Sequence, residues 1–286
     1  MRVGVIGTGE RAERRARVLR ARPGTTFAGF FAALPDDPAP PGLDAFLDQA
    51  EAVFITVPTG AHFRMAEAAA KRGVHAFLEW PPATSLRECE AMLHLAEEAG
   101  VEVGVSRPFR FHPLFATLPE TWQPGVIVLT VRVRENDPRP WPHRLADAVD
   151  LCAALARSGS AQRIDAEAVR GVGARPEAVA FTLRFHNGVL AQACLGRFPL
   201  DHRATVYVAG GDLHRTFDLG EEATAGEGPE NARTGEALER PGLASPEARE
   251  THAFLTALAE KRPPPVSLLD GLHTMRLVER LMERLR

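Results

Sequence analysis

The first twenty residues constrain this chain more than any other stretch. Arg2 to Ile6 is a short, mostly apolar run that ends in Gly7-Thr8-Gly9-Glu10-Arg11-Ala12, and from Arg11 to Leu19 the alanines, Val18 and Leu19 recur at helical spacing among charges. Strand, glycine turn and helix in that order open a parallel α/β unit. In a G-x-G-x-x-A loop so placed, Gly7 permits the tight turn, Gly9 lets backbone approach a pyrophosphate, and the helix N-terminus attracts its charge. Thr8 lies inside that loop. Arg11 stands where it can meet a phosphate or simply be solvated.

The same rhythm continues for a hundred residues. Strands are predicted at Thr26 to Phe31, Ala52 to Val57, Val74 to Leu78 and Val101 to Val105. Helices are predicted at Leu43 to Gln49, His62 to Arg72 and Ser85 to Glu98, the last two closed by Gly73 and Gly100, with a proline-rich loop at 35–41. The run Phe27 to Phe31 is continuous rather than alternating, as in a parallel strand covered on both faces. This is the doubly wound pattern.

After Pro113 the pattern changes. Strand-like segments fall at Gly125 to Arg134, Ala178 to Phe185, Gly188 to Arg197 and Ala204 to Val208, and His186-Asn187-Gly188 supplies an Asn-Gly turn between two of them. One helix, Arg144 to Leu155, interrupts the strands; residues 220–246 read as a long loop; helices about 246–260 and 268–285 finish the chain. The expected organisation is a dinucleotide-binding α/β domain at 1–112 and an α+β domain with a mainly antiparallel open sheet at 113–286.

Composition narrows the partners. The formal net charge is -3 with no run of like charge, which suggests neither a nucleic-acid surface nor an anionic membrane, so a small-molecule ligand is expected. The opening residues lack the apolar core and cleavage site of a signal peptide, and no apolar stretch approaches a membrane span. Cys89, Cys152 and Cys194 are too scattered for a disulfide framework or a zinc cluster; they read as reduced core or helix residues, and the expected compartment is the cytoplasm.

Beyond the glycine loop, three further segments follow in order: Val53 to His62 (VFITVPTGAH), Gly73 to Pro81 (GVHAFLEWP) and Arg110-Phe111-His112-Pro113. With the closing segments at Ala253-Phe254-Leu255 and Pro263 to Leu277, this set resembles the glucose-fructose oxidoreductase, inositol dehydrogenase and rhizopine catabolism (Gfo/Idh/MocA) family. The resemblance implies a Rossmann domain with NAD or NADP as cofactor, hydride transfer to or from a sugar, cyclitol or related carbonyl compound, and homo-oligomers formed through the second domain's sheet. It further implies that Thr56, Pro58, Thr59 and His62 line the cofactor near its nicotinamide end, with Glu79 beside it. Read alone, His62 can equally begin and pack a helix, His75 sits at a strand start, and Pro81 shapes the backbone.

The departures from the family bear on function. The acidic residue expected to hold the adenine ribose, at the end of the second strand, is replaced by the region of Ala32; Asp36 and Asp37 come too late, and no arginine stands ready for a 2′-phosphate, so NAD and NADP both remain open. Where the family has a lysine between the glutamate and proline of the second segment, this chain has Trp80, which supplies neither charge nor acid. Lys71 and Lys261 are not placed to substitute. The family's Asp/His/Asp helix corresponds to His143, Asp147 and Asp150, with the first two types exchanged. Spacings of four and three put them on one helix face. Pro142 suits a first helical turn, where the N-terminus disfavours the histidine cation, so a neutral His143 or a nearby Asp147 can handle a proton, while solvated helix residues are the plain alternative. A metal site lacks a fourth ligand.

The expected function is an NAD(P)-dependent oxidoreductase of a small polar carbonyl or alcohol, with His143 or Asp147 as proton carrier. The alternative is a nucleotide-binding sensor or assembly protein that has lost the chemistry. A redox-neutral enzyme that uses the nicotinamide transiently ranks third.

Overall fold

A computed structural model describes residues 1–33, 41–134, 139–170, 176–198, 203–219 and 245–286. Asp36, Asp37 and most of the loops expected at 35–41 and 220–246 lie outside the described residues. The chain divides into two compact units, Met1–Phe111 with Glu239–Leu272, and His112–Leu238 with His273–Arg286. The carboxy-terminal tail, expected with the second domain, is shared between both.

The first unit is built on five parallel strands: β1 (Arg2–Ile6), β2 (Thr26–Phe31), β3 (Ala52–Ile55), β4 (His75–Leu78) and β5 (Val103–Val105), in the order β2-β1-β3-β4-β5. Both β3 and β5 are buried along their whole length, because helices cover a parallel sheet on both faces. Those helices are α1 (Glu10–Ala21), the short α2 (Leu43–Leu47), α3 (His62–Lys71) and α4 (Leu86–Ala99), the last capped by Ser85, whose Oγ accepts from Glu88 N, and ended by Gly100. Helix α7 (Pro246–Ala259) also belongs here. Its Phe254 packs edge-on against Phe54 of β3 and Phe77 of β4, at ring separations of 5.8 and 5.0 Å. Gly104 of β5 makes room for it, since a Cβ there would lie 2.8 Å from both Phe254 and Phe77.

The second unit opens with α5 (Leu114–Thr117) and holds six strands: β6 (Val126–Arg134), β7 (Ala161–Arg170), β8 (Pro176–Phe185), β9 (Leu190–Phe198), β10 (Arg203–Gly210) and β11 (Leu213–Asp218). Their order is β11-β10-β6-β9-β8-β7, antiparallel except for the central β6/β9 pair. The predicted Asn-Gly turn joins β8 to β9: Gly188 has φ +86° and Asn187 Oδ1 accepts from Val189 N at 3.4 Å. One face of the sheet, with Ile127, Leu129, Phe181, Leu183, Ala191 and Val206, is buried. It packs on α6 (Trp141–Ala156), which begins three residues earlier than expected, so that His143 falls in its first turn. The opposite face carries two cross-strand rows, Tyr207-Val128-Gln192-Thr182-Asp165 and Thr205-Thr130-Cys194-Ala180-Glu167. Cys194, expected in a core or a helix, is instead an exposed strand residue, because the alternation of β9 puts it on this open face. Helix α8 (Leu268–Arg284) contributes to both units.

Candidate functional site

Strand β2 lies on one side of β1 and the later strands on the other, so the chain's direction across the sheet reverses between β1 and β3. In open α/β sheets the crevice outside the carboxyl ends of strands at such a reversal is where ligands bind. The glycine loop leaves β1 there. Gly7 has φ +123°, donates its N–H to Phe31 O at 2.8 Å, and passes so close to β3 that a Cβ would lie 2.5 Å from Thr56 Oγ1. Thr56 in turn binds the end of β1, its N–H and hydroxyl both donating to Ile6 O, at 2.8 and 3.2 Å.

Gly9 is the opposite case. Its φ is +98°, and nothing lies within 4 Å of where a Cβ would stand. It is the N-cap of α1 and supplies no side-chain cap, so the first-turn N–H groups face an open cradle of the kind a pyrophosphate fills. Thr8, Gly9 and Arg11 are exposed at this mouth. The residues present fit a dinucleotide. At the adenine end, β2 stops at Phe31 and the exposed Ala32 follows without a carboxylate.

The next strand end supplies Pro58, in extended conformation, and a 3-10 turn at Thr59–Ala61 leading into α3. His62 begins that helix and is buried, its Nε2 2.9 Å from Val57 O and its Nδ1 3.3 Å from Pro82 O. Burial lowers its pKa, and a neutral ring donates to only one of these carbonyls. The ring thus packs between the Thr56–Thr59 and Trp80–Pro82 loops and is hydrogen-bonded to one of them at a time. His75 is the first residue of β4, and its Nδ1 accepts from Glu102 N at 2.9 Å.

Glu79 is held from behind by a residue that sequence reasoning did not single out. Arg15 of α1 is wholly buried; it donates through Nε to Glu79 (2.9 Å) and through its other nitrogens to Glu250 (2.9 Å), Thr251 Oγ1 (2.9 Å) and Ser106 Oγ (3.0 Å). Burial opposes its charge, but Glu79, Glu250 and Glu247 outweigh that and raise its pKa. Glu250 of α7 is equally buried; loss of solvation pushes its pKa up to about 7 against the pull of Arg15. It also accepts from the backbone N–H of Arg107. Helical spacing carried a signal for Arg15, which falls among the buried Ala12, Ala16 and Leu19.

Trp80 follows Glu79 and is joined to Pro81 by a cis peptide bond. Its ring is covered by Arg107, just beyond β5, whose guanidinium carbon stands 3.2 Å from the ring centroid. Arg107 is 2 % exposed, whereas Trp80 is only half-buried.

In the second unit, α6 carries the three predicted residues on neighbouring turns, with different surroundings. His143 and Asp147 are partly exposed, and Asp147 accepts from Arg139 at 3.2 Å. Asp150 is buried and accepts from Thr274 Oγ1 of α8 at 3.0 Å. It joins burial in holding the neighbouring Cys152 thiol up at about 12. Among the described residues, no group of three or more His, Cys, Asp and Glu is placed to hold a metal ion.

Comparison with known proteins agrees with this geometry. Residues 1–107 match the family described as oxidoreductases with an NAD-binding Rossmann fold (GFO_IDH_MocA). A UDP-N-acetylglucosamine 3-dehydrogenase of Acidithiobacillus ferrooxidans is 32 % identical over 123 residues, 40 % of this chain and 39 % of that protein. A D-xylose 1-dehydrogenase (NADP(+)) of Haloferax volcanii is 40 % identical over 67 residues, 23 % of this chain and 21 % of the relative. These matches thus span two fifths or less of either relative's length. The solved structure of the Acidithiobacillus enzyme superposes over 100 % of this chain and 97 % of its own, with a TM-score of 0.80 at 21 % identity. A scyllo-inositol dehydrogenase from Lactobacillus casei, solved with NAD(H) and scyllo-inositol, covers 100 % and 96 % with a TM-score of 0.73 at 13 % identity. The cofactor is NAD or NADP, and residues 1–107 match the NAD-binding Rossmann domain of the Gfo/Idh/MocA oxidoreductase family.

Proposed function

We propose that the protein is an NAD(P)-dependent oxidoreductase acting on a sugar, cyclitol or related polar carbonyl or alcohol. The observation that carries this reading is the open cradle at Gly9, set at the N-terminus of α1 beside the Thr56–Thr59 loop. Nicotinamide supplies the hydride donor or acceptor. Gly7 and Thr56 fix the loop, Gly9 and the α1 N–H groups hold the phosphates, and Pro58 and Thr59 border the nicotinamide end. His143 or Asp147 takes or gives the proton at the substrate oxygen. Glu79 supports the site through Arg15. The named relatives act on a nucleotide sugar, a pentose and a cyclitol, which supports a polyhydroxylated substrate here. A reducing compartment such as the cytoplasm accords with three cysteines in no disulfide.

Titration with NADH and NADPH, followed by nucleotide fluorescence and thermal shift, is the first test. Saturable binding that Gly9→Trp abolishes is expected, and the tighter nucleotide then drives a screen of sugars and cyclitols at 340 nm. Failure of both nucleotides to bind at millimolar concentration overturns the proposal. The second reading, a nucleotide-binding protein without turnover, is favoured by Trp80 in place of the family lysine and by the engagement of Asp150 with Thr274. It predicts binding with no turnover across the screen.

A further inference from the structure

We infer that Arg15 and Glu250 are positioning residues for the nicotinamide half of the dinucleotide: wholly buried, they fix the carboxyl ends of β4 and β5 to α7 and so set how tightly that half is held. This rests on the reading above that the crevice holds a dinucleotide.

With the pyrophosphate at Gly9 and the adenosine half toward the end of β2, the other half of a dinucleotide must run toward β3 and β4. Two residues just past neighbouring strands stand on that side of the sheet, Glu79 after β4 and Ser106 after β5. Backbone bonds tie these ends to the sheet, Glu79 N to Ile55 O at 3.4 Å and Ser106 N to Leu78 O at 2.8 Å. Side chains continue the connection. The Arg15 guanidinium lies 4.9 Å from the centre of the Phe77 ring of β4 and donates to Glu79 at 2.9 Å, to Ser106 Oγ at 3.0 Å and to Glu250 at 2.9 Å. Glu250 closes the circuit: it accepts from the Ser106 hydroxyl at 3.1 Å and from the backbone N–H of Arg107. Its helix, α7, belongs to the same unit as these strands.

Neither Arg15 nor Glu250 has surface to offer a ligand, at 0 % and 1 % exposed, whereas the Glu79 side chain keeps 12 %. Any influence of the pair on binding therefore passes through the residues it holds. An arginine bonded to two carboxylates and two hydroxyls is also hard to move, because each rearrangement leaves a buried charge or polar group unpaired. The effect falls on one part of the ligand. The adenosine half lies toward β2, whose last residue, Phe31, is bonded to Gly7 instead of the cluster. Loosening the cluster thus costs affinity for a nucleotide that carries nicotinamide and spares one that does not.

The test uses the full chain, whichever of NADH and NADPH binds, and the matching ADP-ribose that lacks nicotinamide (2′-phosphorylated if NADPH is preferred), with affinities from calorimetry. Glu250→Ala is expected to weaken the complete nucleotide about tenfold, the worth of one lost charged hydrogen bond, and ADP-ribose by less than about twofold. Glu250→Gln keeps an oxygen for the Arg107 N–H and should recover most of that loss. Fluorescence of the bound nucleotide, which comes from its reduced nicotinamide, should shift in Glu250→Ala and return in Glu250→Gln. Ser106→Ala removes a single hydroxyl and decides the matter if Glu250→Ala does not fold; a selective loss of about threefold is expected. The inference is overturned, and the oxidoreductase reading stands, if the folded variants leave the complete nucleotide within about twofold of wild type or weaken ADP-ribose equally. The same holds if Glu250→Gln is no better than Glu250→Ala, or if wild type binds ADP-ribose as tightly as the complete nucleotide. If wild type binds neither NADH nor NADPH, both fail together.

Discussion

Arg15 and Glu250 show how much of a site can be decided by side chains that need not touch a ligand. An arginine with no exposed surface persists only because carboxylates and hydroxyls meet its donors. In that company Glu250 is the costly member, since burial raises its pKa from 4.5 to about 7. The folded state therefore holds a proton that the unfolded state releases between about pH 4.5 and pH 7. Stability is complete below that interval and falls as pH rises through it. Glu250→Gln should flatten the fall: from pH 5 to pH 8 the wild type is expected to lose on the order of 3 kcal/mol more unfolding free energy than the variant, measured by urea titration. Parallel profiles would contradict this. The cluster was only half legible in the sequence. Arg15 lies on the apolar stripe of α1, but its partners are 64 and 235 residues away, and no local pattern pairs them. The Gly7–Gly9 turn was legible because its backbone conformation is set by neighbours in the chain, whereas Arg107 over Trp80 required the fold.

Among the elements, every segment with a clear period was readable, and the two strands that escaped notice are the sheet's outermost. Neither β7 nor β11 has a continuous apolar row; β7 carries Arg163, Asp165, Glu167 and Arg170, and most of β11 is exposed. Charged, unevenly patterned edges protect a sheet from further pairing, and that same composition hides them from a periodicity argument. Helix α7 was readable as a helix but not as part of the first unit. Its contribution there is measurable: Phe254 is 1 % exposed between Phe54 and Phe77, so Phe254→Ala should cost about 3–5 kcal/mol in unfolding free energy. A loss below about 1 kcal/mol would show that α7 is dispensable to that core.

At the scale of the whole molecule, the open face of the second unit's sheet is the surface most suited to a second copy of the chain. Its central strand residues Val128, Thr130, Ala180, Thr182 and Cys194 are uncharged, and the charge on this face comes from Asp165 and Glu167 of β7, Arg132 further along β6 and Arg284 of α8. A neutral middle inside a charged rim suits an isologous interface. Wild-type protein is expected to sediment as a dimer or larger at micromolar concentration, and Thr130→Arg to shift it to monomer with an unchanged circular dichroism spectrum; a monomeric wild type would refute the interface. The return of the tail has a consequence of another kind. Residues 1–111 are made before the second unit's strands, yet the partners of Phe54, Phe77 and Arg15 on α7 are made more than 130 residues later. The first unit is begun before the second and is not completed until the second unit's sheet has been made. Until α7 emerges, its aromatic surface and buried arginine must wait uncovered, which makes this protein a natural client for whatever shields nascent chains.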